Sequence, residues 1–167
     1  MPLNLTRRTV ATGLVTVTFA PRARAAEPVR VGLMLPYSGT YAKLGDSITQ
    51  GFEMFLAERG GTLGGRPVTV AELDDASDPV AAPKNVNRLL NRDKADILVG
   101  TVHSGVVMAL VQASREKGTP LIIPNAGNVA ASRDLCAESV FRTSFTNWQP
   151  AYGMGLALAK TGVKKAA

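Results

Sequence analysis

His103 and Ser104 stand side by side in DILVGTVHSGVVMALVQAS (Asp96 to Ser114), and their types and setting invite a chemical reading. Ile97 to Val99 is a short apolar run, Gly100 to Gly105 a glycine-bracketed crossing, and Val106 onward has helical period. Strand, loop and helix N-terminus in that order is where an open α/β sheet binds its ligand. A helix from Ser104 to Lys117 puts the Ser104 hydroxyl and the free N–H groups of the first turn where an anion can meet them. A nucleophilic serine is the competing reading, because the hydrolase elbow is also a strand–turn–helix. It requires GxSxG, whereas Val102 stands two before Ser104. Neighbouring turn residues point apart, and the sole histidine leaves no second imidazole as base. We therefore expect a binding turn and no enzyme, with a Ser-dependent hydrolase as the lesser alternative.

Other candidates for chemistry are weaker. Cys136 is the only cysteine, so no disulfide can form within the chain, and a structural thiol is the simpler reading. Asp74, Asp75 and Asp78 could gather a hard cation, yet no EF-hand spacing or bidentate glutamate follows. Capping explains them better: Asp78 caps a helix from Pro79 to Asn91, with Pro79 in the first helical position and negative charge at the positive end of the dipole. GGTLGGR lacks the Walker lysine followed by Ser or Thr, and it precedes a strand. No metal or cofactor is expected.

Composition bounds the remaining classes. Hydrophobic residues make up 46% and charged residues 19% of 167, as in a folded soluble α/β domain with a substantial core. The net charge of +6 is misleading: Arg7, Arg8, Arg22 and Arg24 precede residue 26, where no acid occurs, leaving fifteen basic against thirteen acidic residues. No basic patch for nucleic acid survives that partition. Residues 1–25 read as an export signal, with an uncharged run from Thr9 to Ala20 and an AxA pattern at Ala23 to Ala25. The paired arginines fit a twin-arginine signal or a Sec signal with a basic start. Export, and a mature domain over 26–167, is the expectation.

The elements that must position the turn alternate. Pro28 to Leu35 reads as a central strand covered on both faces. The loop PYSGTYAKLG follows, and a helix capped by Asp46 carries Ile48, Phe52, Phe55 and Leu56 on one face. Gly60, Gly61, Gly64 and Gly65 then stop that helix. Pro67 to Leu73, Ile97 to Val99, LIIP (121–124) and FRTSF (141–145) complete five strands, with a last helix from Asn147 to Lys160. Short strand–helix connections imply a doubly wound, mostly parallel sheet with right-handed crossovers. Loops 36–45, 74–78, 100–105 and 125–132 should therefore gather along one edge as a cleft.

In that order and spacing, VGLMLPYSGTYAKLGDSITQGFEMFLAE, GGTLGGRPVTVAELDDASDP, ADILVGTVHSG, KGTPLIIPNAG and FRTSF resemble the periplasmic solute-binding proteins of the leucine/isoleucine/valine-binding type, which serve ABC importers. The resemblance implies a type 1 periplasmic binding protein lobe, a periplasmic location, a membrane ABC permease as partner and a small carboxylate ligand held between two lobes. It places Val102, His103 and Ser104 at the turn holding the carboxylate, with Ser104 the most transferable residue. Asn125, Ala126 and Gly127 fall on the loop supplying further polar contacts. Tyr41 would stack on the ligand or only cover the rim. Branched-chain amino-acid binders put a small residue at Asn125 and threonine at Gly127, so these positions depart from that ligand class. The text around GTVHSG, IIPNAG and FRTSFTNWQP is closest to members that take up aromatic carboxylates. Members also often pair cysteines at the positions matching Ser77 and His103, and neither is cysteine here. Only the N-terminal lobe of such a clamp is expected in this length, a truncated form whose own binding would be weak or absent. A receptor or sensor with the same ligand-binding fold is the alternative.

Overall fold

The computed structural model describes residues 26–165, and the expected export signal lies outside them. Six strands form one sheet in the order β2-β3-β1-β4-β5-β6. The strands are β1 (Val29–Leu35), β2 (Thr62–Leu63), β3 (Arg66–Asp74), β4 (Ile97–Gly100), β5 (Leu121–Ile123) and β6 (Val140–Arg142). The helices are α1 (Ala42–Glu58), α2 (Ala82–Asn87), α3 (Val107–Lys117) and α4 (Trp148–Lys160). All pairings are parallel except the β2–β3 hairpin. This is the expected doubly wound α/β lobe with one strand more. Two residues were too short a segment to show a periodicity, but Gly64 and Gly65 mark the hairpin, since both hold the positive φ that a two-residue turn of this kind needs.

β1 is central because VRVGLML can be buried on both sides. Its alternation splits the core. Val31, Leu33 and Leu35 join Val99 on the face where Ile48 and Phe52 of α1 pack, whereas Met34 joins Leu98, Leu121, Ile123 and the buried residues of α2 and α3 on the other. α3 contributes Val107, Leu110 and Val111 at helical spacing. It ends at Gly118, whose φ of 68° is the left-handed cap glycine adopts at least cost.

Several boundaries differ from expectation. α1 begins at Ala42, so Asp46 is an exposed residue inside it and caps nothing. Gly45 lies in the first turn of α1, where a Cβ would overlap the Pro36 carbonyl. Of the expected apolar face, Ile48 and Phe52 pack on the core while Phe55 is exposed. α2 starts at Ala82, and Arg88–Arg92 continues it as a π-helical turn. Pro79 therefore sits in the turn ahead of the helix, where the Asp78 carboxylate accepts the Val80 N–H at 2.8 Å. α3 begins three residues after Ser104, and β6 lies earlier than FRTSF, sharing only Phe141 and Arg142 with it.

Candidate carboxylate-binding site

The chain runs from β1 to β3 on one side and then returns to place β4 on the other side of β1. At that reversal the loops after β1 and β4 diverge and leave a crevice at the carboxyl ends of the strands. A cavity of about 330 Å³ lies there, lined by Tyr41 and Leu44 after β1, Val102, His103 and Ser104 after β4, Asn125 and Gly127 after β5, and Phe145 and Asn147 after β6. All five residues singled out from the sequence, Ser104, Val102, Asn125, Gly127 and Tyr41, line it together. No lining residue is a carboxylate, lysine or arginine.

The loop after β3 does not line the cavity, contrary to expectation, and instead braces the loops that do. Asp74 Oδ1 accepts the N–H groups of Tyr37 and Ala76, each at 2.8 Å. Burial raises the Asp74 pKa, but hydrogen bonds from Ser38, Tyr37 and Ala76 more than offset it, so the carboxyl lies below its ordinary value. The buried Asp75 carboxylate accepts the Thr101 hydroxyl with one oxygen and the Ser77 N–H, at 2.8 Å, with the other. Asp74, Asp75 and, in the turn ahead of α2, Asp78 thus accept hydrogen bonds from backbone N–H or hydroxyl groups. Among the described residues no group of three or more His, Cys, Asp or Glu is arranged to hold a metal.

Ser104 is fixed from two sides. Its carbonyl accepts from Asn128 Nδ2 at 3.2 Å and its Oγ from Asn147 Nδ2 at 3.3 Å. With Oγ already accepting, its proton is left to donate toward an anion. The free N–H groups behind it are spoken for, however: His103 Nδ1 accepts from Gly105 N–H at 3.1 Å and Val106 N–H at 3.4 Å. His103, not Ser104, caps the turn leading into α3. Among the described residues Ser104 Oγ is bonded to Asn147 and the His103 ring to the backbone, with no hydrogen bond between the two side chains.

His103 and Leu44 line the cavity from the expected turn and loop, whereas Phe145 and Asn147 come from a segment outside the four expected loops. The rule that loops after strands converge points to Asn147 when applied after FRTSF, and to Phe145 only because β6 ends earlier, at Arg142. Asn147 is close-fitted: its N–H donates to Gly127 O at 2.8 Å, and a Cβ on Gly127 would overlap its side-chain amide. Arg142 was also missed. Its guanidinium donates to the carbonyls of Ala126, Asn128 (2.6 Å) and Phe145 (3.4 Å) and to Ser132 Oγ (3.0 Å), tying the β5 loop to the β6 loop. Burial alone lowers its pKa. The clue available was a lone arginine inside an otherwise apolar and hydroxyl-bearing strand.

A larger concavity, about 780 Å³, lies along α3 between Pro79, Pro83, Met108, Arg115 and Cys136. Its polar residues, Gln112, Arg115 and Glu116, all come from α3, whereas the smaller cavity gathers residues from the segments after β1, β4, β5 and β6, which is why the latter is taken as the site.

An α/β lobe with a neutral, donor-lined cavity at its switch point defines a class of ligand-binding proteins. The periplasmic binding protein family profile matches residues 28–167, and the chain belongs to that family. It is 28% identical over 162 residues to Leu/Ile/Val-binding protein homolog 6 of Brucella abortus (strain 2308), covering 95% of this chain and 40% of that protein. It is also similar to the solute-binding protein of an ABC transporter from R. palustris in complex with benzoate, with 50% identity, a TM-score of 0.78, and coverage of 81% of this chain and 38% of that one. A second such protein, from Rhodopseudomonas palustris BisB5 in complex with 3,4-dihydroxy benzoic acid, is 26% identical with a TM-score of 0.73, covering 82% of this chain and 37% of that one. The chain therefore spans about two fifths of the length of these relatives.

Proposed function

We propose that this chain is the ligand-holding N-terminal lobe of an extracytoplasmic solute-binding protein serving an ABC importer, and that its solute is a small aromatic carboxylate. The observation that carries the reading is the cavity itself: Ser104, His103 and Asn125 offer neutral polar groups at one part, while Tyr41, Leu44 and Phe145 form an apolar rim. An anion accepts from neutral donors without needing a cation, and a planar apolar body is suited to the rim. An α-amino acid also brings an ammonium group, and no carboxylate lines this cavity to meet it. The 50% identity to a benzoate-bound protein supports the same choice. Residues 1–25, read as an export signal, and the family together support a periplasmic location, where a membrane permease would receive the solute.

Tyr41, Leu44 and Phe145 are 38%, 45% and 47% exposed, so the cavity is open on that side. Good small-molecule pockets bury about 70–90% of the ligand surface, so a single wall binds weakly. Titrating the chain with benzoate and with leucine by NMR tests the reading. Saturable shifts for benzoate at millimolar concentration, weakened in Ser104→Ala, are expected. A stronger response to leucine, or submicromolar affinity for any small carboxylate, would contradict this account.

A further inference from the structure

We infer that His103 is the selectivity-setting donor of this cavity, held by the backbone as the neutral Nε2–H tautomer so that its one free N–H is offered to the ligand carboxylate beside Ser104. The inference rests on the reading of the cavity as a carboxylate site. A nitrogen that accepts hydrogen bonds must present its lone pair, and His103 Nδ1 accepts from both Gly105 and Val106. In a neutral imidazole the proton is then on Nε2. Among the described residues nothing in the protein accepts from that nitrogen.

The ring is placed for a ligand as well as for the cap. His103 lines the cavity with Ser104, and its ring lies 6.4 Å from that of Tyr41 at an interplanar angle of 50°. Capping and recognition thus use opposite edges of one imidazole. A donor fixed in this way accepts no proton from a ligand and so discriminates against hydrogen-bond donors such as an ammonium group. It rewards carboxylates through a charge-assisted bond. The substrate class that follows is an aryl carboxylate, whose ring would lie toward Tyr41 and Phe145.

The chain contains a single histidine, so its imidazole nitrogens are read without ambiguity in long-range ¹H–¹⁵N spectra of the labelled protein. The expected spectrum is that of the Nε2–H tautomer, and benzoate should move the Nε2 and Hε1 signals saturably. His103→Asn retains a short side-chain acceptor for the cap. It should keep the helical circular dichroism of the parent while raising the benzoate Kd about tenfold. An Nδ1–H tautomer overturns the inference, and if the variant fails to fold that measurement on the parent chain still decides it. Equal benzoate affinities for parent and His103→Asn, with Ser104→Ala weakened, also overturn it while leaving the carboxylate site standing. Benzoate shifts absent from His103, Ser104 and Asn125 alike would remove the underlying reading, and this inference with it.

Discussion

α3 and α4 both follow a parallel strand of the same sheet, yet one is built into the molecule and the other is not. α3 buries Val107, Leu110, Val111 and Ser114; α4, although two residues longer, buries none. Trp148, Tyr152, Met154 and Leu156 are all about half-exposed or more, and Trp148 and Tyr152 stack on each other at 4.7 Å. Apolar content does not explain the difference, since α4 is the richer helix in apolar residues. A helix gains most of its stability from what its apolar stripe meets, and only α3 meets the sheet. Within the described residues, what a helix meets, and not its own apolar content, separates the packed α3 from the exposed α4.

The widest separation between the two helices should appear on truncation. Leu110 is fully buried, so Leu110→Ala should cost about 2–5 kcal/mol by denaturant unfolding, while Leu156→Ala should stay within about 0.5 kcal/mol. Similar losses at both positions would mean α4 is packed in solution. A polar pair of substitutions follows the same logic. Thr101→Val leaves a buried Asp75 oxygen without its hydroxyl and should cost about 1–3 kcal/mol. Thr161→Val removes only an exposed bond to the Leu158 carbonyl, and unfolding curves should barely move.

The same contrast separates what was legible in the sequence from what was not. β1, β4 and β5 were readable because burial on both faces writes continuous apolar runs, and Gly118 announced the end of α3. The five expected site residues converge because chain order alone sends the loops after β1, β4 and β5 to one edge. Hydrogen bonds between distant segments leave no local pattern. The His103 cap, the Asp75–Thr101 pair and the Arg142 clamp were therefore missed, as was the role of the β3 loop as a brace. The helix expected from Asn147 to Lys160 is present as α4, and its sequence says nothing about whether a partner face exists.

Gly127 and Asn147 join the two regions, so they test whether the contrast is a boundary or a gradient. A methyl at Gly127 would overlap the Asn147 amide, which stands at the start of α4 and reaches Ser104. Gly127→Ala should cost about 1–3 kcal/mol, as overpacking does, and weaken benzoate binding by displacing Asn147 from Ser104. In the double variant with Asn147→Ala the stability losses should fall short of additive by at least about 0.5 kcal/mol. Strict additivity would show that Asn147 does not seat against this loop, and α4 would then be independent of the cavity.

The smallest expected effect concerns acid. The Asp74 carboxyl lies below its ordinary value in the folded chain, because its hydrogen bonds outweigh the opposing effect of burial. A carboxyl lowered on folding adds stability above its unfolded pKa and loses it as pH falls through the folded one. The Asp74 contribution is therefore complete at neutral pH and decays below about pH 4. Asp74 is an exposed residue, so solvent screening should hold that contribution under about 0.5 kcal/mol. Asp74→Asn keeps an oxygen for the Tyr37 and Ala76 N–H groups but removes the charge. Urea unfolding at pH 7 and pH 3 should show the parent losing slightly more stability than the variant. α4 carries no acidic residue, so its helical signal should not respond to this titration. A larger loss in Asp74→Asn on acidification would reverse the sign and place the anchoring of the β1 loop elsewhere.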